Sequence, residues 1–243
     1  AGEMAFFREQ SEARRKSVIE TMVAKRIPCV VVTRSLAPTP EMIEVLEKAG
    51  VPLFRTPLSS KAFTTEVTVL LEERFAPRTS LHGTLLEIRG VGTLIRGASG
   101  AGKSEAALAL IERGHSLVAD DLVQVKLLSD HTPIGFCDPL SRGFMECRGI
   151  GIINVEKLFG NRFVRLEKRI DLVVTLIEET ANAQPDRTGL DRKYYQILGF
   201  DVPQMEIPVR TGRDMARLIE VAAMVQAARQ FGYDSADDLN EKL

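Results

Sequence analysis

The 243-residue chain has no tryptophan and only three cysteines, Cys29, Cys137 and Cys147. An odd count without C-x-x-C spacing excludes a disulfide framework and a cysteine-based zinc site, and it fits a reducing compartment. A dominant sign of charge is also lacking: 32 Lys and Arg stand against 33 Asp and Glu, and the basic residues are scattered rather than blocked. The composition therefore gives no support to a nucleic-acid or membrane partner, and a small or protein substrate is favoured. No apolar run approaches the roughly 20 residues needed to span a bilayer. The opening "AGEMAFFREQSEARRKS" lacks the charged-then-apolar order of a signal peptide, so a cytoplasmic location is expected. What the chain does have is 44% hydrophobic residues, enough at this length to bury a core in one large domain or two smaller ones.

Residues 1–78 alternate helical and strand patterns: a helix through "EARRKSVIETMVAKR", a buried strand "CVVVT", a helix "TPEMIEVLEKAG", a strand "VPLFR" and a helix "TTEVTVLLEERF". This is a small α/β domain. "APRTS" (Ala76 to Ser80) reads as the linker to a second domain, 79–243. Between Ser116 and Ile177 the runs "DLVQVKL", "PIGFC", "IGIINV", "RFVRLE" and "IDLVVTLI" each predict a strand, with few helices between them. A doubly wound nucleotide fold would alternate strand and helix, so a mixed, largely antiparallel sheet is expected here. The tail "GRDMARLIEVAAMVQAARQFG" is Ala-rich and periodic up to Gly232, hence helical, with Arg213 expected to open the helix.

Into this second domain is set Gly97-Ala98-Ser99-Gly100-Ala101-Gly102-Lys103-Ser104, which satisfies G-x-x-x-x-G-K-[ST] between the strand "GTLIR" and the helix "SEAALALIER". Such glycines let successive backbone N–H groups face phosphate oxygens, and the helix N-terminus adds positive potential. Lys103 can then reach the β/γ-phosphates, and the Ser104 hydroxyl can ligate Mg²⁺. Asp120 and Asp121 follow the apolar strand "SLVA", the place for a carboxylate that meets the metal. Adjacent strand residues face opposite ways, which suggests two roles: one aspartate for Mg²⁺ or its water, the other accepting a proton from a nucleophilic hydroxyl. A turn or helix-capping pair is the plainer alternative.

The segments "HGTLLEIRGVGTLIRGASGAGKSEAALALIERGHSLVADDLV", "MECRGIGIINVEKLFG", "DRTGLD" and "IPVRTGRDMARLIEVAAM", in this order and spacing, resemble the bacterial HPr kinase/phosphorylase family. The similarity is dense from His82 to about Tyr233. Before that, "CVVVTRSLAPTPEMIEVL" fits the end of the family's N-terminal domain, whose start reads as shortened. The resemblance implies an α/β fold: a small N-terminal domain plus a P-loop kinase domain on a mixed, phosphoenolpyruvate-carboxykinase-like sheet. It further implies a homohexamer that uses ATP or pyrophosphate, with Mg²⁺, to phosphorylate a serine of the phosphocarrier protein HPr. The same enzymes reverse this by phosphorolysis, in which inorganic phosphate attacks phosphoserine and pyrophosphate leaves.

On individual residues, the resemblance implies a catalytic role for His82, which as a lone His before Gly83 reads equally as a turn residue. It makes Lys103 the phosphate-binding lysine and Ser104 a metal ligand. Asp121 becomes the base in phosphorylation and the acid in phosphorolysis, with Asp120 beside it at the metal and Glu146 as a second magnesium ligand. Arg187 in "DRTG" becomes a catalytic arginine, its plainer reading being a solvated loop charge. Pro208, Val209, Arg210, Thr211, Gly212 and Arg213 become the segment tied to dephosphorylation. Two residues depart from the family pattern. Cys147 replaces an aliphatic residue and reads as a small buried hydrophobe. Asp214 replaces Asn, bringing a negative charge beside a phosphate-handling segment. Another P-loop kinase or carboxykinase relative, and a non-catalytic nucleotide-dependent switch, stand as alternatives.

Overall fold

The computed structural model describes residues 2–178, 192–210, 212–234 and 237–238. The chain divides into two compact units, Ala1–Phe75 and Ala76–Leu243.

The first unit runs α1 (Gly2–Glu9), α2 (Glu12–Ala24), β1 (Val30–Val32), α3 (Pro40–Lys48), β2 (Leu53–Arg55) and α4 (Ser60–Phe75). Ser11 caps α2 by accepting from the Arg14 N–H, and Pro40 opens α3, where a missing N–H costs nothing. Strands β1 and β2 pair in parallel, Val30 opposite Leu53. Ile19, Val32, Met42 and Leu46 make a small core from α2, β1 and α3. Arg15 of α2 donates to Glu41 of α3 at 2.6 Å.

The second unit carries β3 (Arg78–His82), β4 (Thr84–Ile88), β5 (Val91–Gly97), α5 (Lys103–Glu112), β6 (Ser116–Ala119), β7 (Leu122–Leu127) and β8 (Pro133–Phe136). It continues through β9 (Phe144–Cys147), β10 (Gly151–Asn154), α6 (Val155–Phe159), β11 (Glu167–Arg169), β12 (Leu172–Glu178), β13 (Lys193–Ile197), β14 (Phe200–Val209) and α7 (Met215–Gln230). A six-stranded mixed sheet has the order β13-β14-β12-β5-β4-β6, with β14, β12 and β5 mutually parallel and the remaining pairs antiparallel. A four-stranded antiparallel sheet has the order β11-β8-β7-β3. One core holds α5 and α7 on the large sheet through Ile95, Leu110, Leu117, Leu172, Val174 and Ile219. The other joins the two sheets through Leu85, Leu94, Val118, Val123, Val125 and Val173. The strands buried on both faces are those that read as unbroken apolar runs.

Three sequence expectations are corrected. Within Ala76 to Ser80, Arg78 to Ser80 belong to β3 and pair with β7, so most of the supposed linker is sheet. "RFVRLE" is not a strand: Gly160, at a φ of 104°, ends α6, Asn161–Phe163 form a 3-10 turn, and only Glu167–Arg169 pair. Phe163 anchors this stretch in the core, and Val164 makes a single isolated bridge to Leu117. Finally, α7 starts at Met215 and not at Arg213, because Asp214 caps it by accepting from the Arg217 N–H at 2.9 Å.

Candidate active site at one edge of the mixed sheet

Sheet topology brings the chemical residues to one edge. Strands β5, β6, β12 and β14 all run toward it, so Gly97, Asp120, Glu178 and Arg210 lie at or just past their C-terminal ends. Strand β4 runs the other way and starts there, which puts His82, Gly83 and Thr84 at the same edge. An edge where parallel strands end is where open α/β sheets take ligands.

The phosphate-type loop spans this edge from β5 to α5. Gly97 is needed by close approach, since a Cβ there would lie 2.9 Å from the Leu176 carbonyl oxygen. Gly100 and Gly102 have φ of 88° and 85°, left-handed values that glycine takes without strain. Gly102 is also the residue before α5, where no side chain covers the first N–H groups. Ala98, Ser99 and Gly100 are exposed, whereas Ala101, Lys103 and Ser104 are half-buried. The Lys103 Nζ donates to the Gly97 and Ala98 carbonyls at 3.0 and 2.9 Å, which holds the ammonium over the loop.

Asp120 and Asp121 lie just beyond β6, and their environments differ sharply. The Asp120 carboxylate accepts from the Thr84 hydroxyl at 2.7 Å and from the Glu146 backbone N–H at 3.1 Å. Burial pushes its carboxyl above the ordinary value, against the pull of those two donors. Asp121 is exposed and has a φ of 63°. A left-handed aspartate marks a tight reversal, here closed by the Leu122 N–H donating to the Asp120 carbonyl at 2.8 Å. The two carboxylates are thus separated by that reversal, and not by the pleat of a strand. Gly83 donates its N–H to the Asp121 carbonyl at 3.0 Å, and His82 pairs with Leu122 across β3 and β7. His82 is exposed beside the aspartates, while Gly83, where a Cβ would lie 2.5 Å from the Ile95 carbonyl oxygen, serves the turn.

Glu146 projects from β9 on its exposed face, opposite Ile152 of β10. Pro208 and Val209 close β14, in register with Ile177 and Glu178. The Arg213 N–H donates to the Arg210 carbonyl at 3.2 Å, and Gly212 between them has a φ of 81°. Thr211 and Arg187 lie outside the described residues. Cys147 packs in the α5/α7 core with its thiol pushed up by burial, so it behaves as a small hydrophobe.

The comparisons with known proteins point to one family. Residues 1–71 match the model of the HPr Serine kinase N terminus, and residues 73–243 match that of the HPr Serine kinase C-terminal domain. The chain belongs to the HPr serine kinase family. The HPr kinase/phosphorylase of Caldicellulosiruptor bescii is 42% identical over 99% of this chain and 78% of the relative. That of Leptospira biflexa is 41% identical over 100% of this chain and 76% of the relative. The HPr(Ser) kinase/phosphatase structure from Coxiella burnetii superposes with a TM-score of 0.60 at 35% identity, covering 67% of this chain and 99% of that one. Among the described residues no helix is long and apolar enough to cross a membrane.

Two members of the site escape a motif reading. Thr84 reads as an ordinary strand residue, and only the pairing of β4 with β6 and β5 brings it to Asp120. Arg148, one residue past β9, donates from Nη2 to the Ser99 hydroxyl at 3.3 Å and approaches Gly100. That lays a guanidinium on the phosphate-type loop. Its position within "MECRG", two residues from Glu146, was the available signal.

Proposed function

We propose that this chain is an HPr(Ser) kinase/phosphorylase: it transfers a phosphoryl group from ATP, or from pyrophosphate, to a serine of HPr, and removes it by phosphorolysis. The observation that carries the reading is the meeting of a lysine-bearing phosphate loop with two chemically unequal aspartates at one sheet edge. Phosphoryl transfer asks mainly for positioning and charge stabilisation, plus a base for the hydroxyl. The N–H groups of Gly97 to Ser104, with Lys103 and Arg148, supply the cradle. Asp121, exposed on its reversal, is the proton acceptor in phosphorylation and the donor in phosphorolysis, with His82 beside it. One group serves both directions because each transfer leaves it in the protonation state that the reverse requires.

Hard oxygen donors suit Mg²⁺, and Asp120, Glu146 and the Ser104 hydroxyl are of that kind. An ion that arrives with substrate phosphates needs only one or two protein carboxylates. Bound there, the ion would neutralise charge on the transferring phosphates. Asp120 is held ready by the Thr84 hydroxyl and by the backbone N–H of Glu146. Arg210 and Arg213 flank the turn after β14 and are assigned to the incoming inorganic phosphate, with Arg187 on the transferring group. We further assign the boundary between the two domains to residues 76–77, just before β3, the working assembly to a homohexamer, and the location to the cytoplasm.

The test is transfer of radiolabel from γ-labelled ATP to purified HPr with Mg²⁺, followed by added phosphate. Label on an HPr serine, then released as pyrophosphate, is the expected course. Transfer to small acceptors but not to HPr would instead make this a different P-loop kinase, and ATP binding without transfer would make it a switch.

A further inference from the structure

Arg96 is the residue immediately before the phosphate loop, and it stands out by what it lacks. Its side chain is half-buried and its Nε is buried with no hydrogen-bond partner. The guanidinium lies over the ring of Tyr195, 4.3 Å from the centroid, a contact that restrains where the group sits. Among the described residues no hydrogen bond or ion pair engages it. Thr175, in register with Arg96 on β12, accepts from Gln204 at 3.0 Å. Glu206 pairs with Lys193 at 2.6 Å, and Asp120 is held by Thr84 and the Glu146 N–H. Half-burying a cation whose polar atoms are unpaired is unfavourable, and an anion docking there would relieve that cost.

The direction of the side chain says which anion. Along β5, Ile95 faces the core under α5 and α7, while Leu94 faces the core between the two sheets. By strand alternation Arg96 leaves on the side of Leu94, away from α5. There its Cγ meets Gly83, 3.3 Å from where a Cβ would stand. Gly83 follows His82 and donates to the Asp121 carbonyl. Lys103 serves the nucleotide side of the loop; Arg96 stands on the side of His82 and Asp121, where the acceptor residue must come.

We propose that Arg96 binds the phosphoryl group of the phosphorylated acceptor serine, forking its oxygens during phosphorolysis. This rests on the function proposed above. An unphosphorylated serine brings no charge to that position, whereas phosphoserine brings a near-dianion that a guanidinium can hold in two hydrogen bonds. Arg96 is thereby a residue that favours recognition of the modified acceptor over the unmodified one, and Tyr195 keeps its fork in place.

The experiment compares the full wild-type chain with R96Q, R96K and Y195L. Calorimetric titration with serine-phosphorylated HPr, without free phosphate, gives the affinity directly, and KM for each form of HPr is measured in both directions. R96Q should weaken phosphorylated HPr about 10-fold or more, the loss of a charge-assisted contact. The loss for unphosphorylated HPr should be at least about fivefold smaller. R96K, a point charge without the fork, should fall between, and Y195L should follow R96Q in direction with a smaller effect. Thermal stability of R96Q should not drop, since an unpaired half-buried charge has been removed. Equal losses for both forms of HPr, or a lowered melting temperature with unchanged phospho-HPr affinity, would make Arg96 a structural residue and overturn the proposal. Wild-type chain that neither binds nor turns over HPr in either form would overturn the function reading itself, and this proposal with it.

Discussion

Asp214 and Arg113 are joined by a 2.6 Å ion pair that links the first residue before α7 to the C-cap of α5. The α5 helix opens at the phosphate loop and α7 follows the Arg210–Arg213 turn, so the pair ties the far end of one to the near end of the other. Asp214 also caps α7, and its carboxyl is held below the ordinary value, first by the Arg217 N–H and then by Arg113. The charge that looked adverse in sequence is therefore engaged by a helix N-terminus and a guanidinium.

Asp214→Asn should keep the cap, since the amide oxygen can still accept, and should alter kinase and phosphorolysis rates in the same proportion. Asp214→Ala loses the cap as well and should melt about 2–4 °C lower than Asp214→Asn. Both rates and both melting curves, measured on one preparation, check this; a rise in phosphorolysis alone in Asp214→Asn would show that the carboxylate does act on the phosphate-handling turn.

The two aspartates should separate in mutants. Asp121→Asn should abolish transfer in both directions with nucleotide affinity retained, whereas Asp120→Asn should be partly relieved by raised Mg²⁺. Thr84→Val removes one donor to Asp120 and should raise the Mg²⁺ needed for half-maximal rate by about fivefold, the equivalent of one ordinary hydrogen bond of about 1 kcal/mol. Identical Mg²⁺ titrations for all three variants would refute the division.

Lys103→Ala should lower both reactions about 100-fold or more, as the loss of one charge donor to the transition state does. Arg148→Ala should act mainly earlier, weakening nucleotide about 10-fold through the loss of the guanidinium on Ser99, with Arg148→Lys restoring little. Nucleotide titration alongside turnover separates the two effects.

The first unit should lose stability in acid. Glu41 is 6% exposed, and its carboxyl is lowered from 4.5 to about 2, chiefly by the Arg15 hydrogen bond. A depressed carboxyl contributes stability that is present above its unfolded value and disappears as pH falls through the folded one. Protection factors of the α2 and α3 amides, taken relative to intrinsic exchange at each pH, should therefore fall from about pH 4.5 downward, and Glu41→Gln should show low protection already at neutral pH with a flatter acid response. All three tyrosines lie in the second unit and the chain has no tryptophan, so amide exchange is the suitable probe for the first.

What the sequence determined by itself was everything local. Helix periodicity with Ser11 and Pro40 at helix starts, the apolar runs of β5, β6 and β12, and the G-x-x-x-x-G-K-S loop between strand and helix all follow from preferences that act within a few residues. Local signals failed where pairing partners decide. Arg78 to Ser80 look like a linker because their polar side chains alternate with half-buried ones, and only β7 makes them a strand. "RFVRLE" has strand-like residues, but only its last residue, Glu167, joins a sheet, apart from one isolated bridge from Val164 to Leu117. Tertiary structure alone decided that Thr84, 36 residues from Asp120, would hold its carboxylate; that Arg148 would cross to Ser99, 49 residues away; and that Arg96 would face Tyr195 with its Nε buried and unbonded. Such contacts depend on sheet order and register, which are set by the closing of two cores at once and leave no trace in the spacing of any one segment.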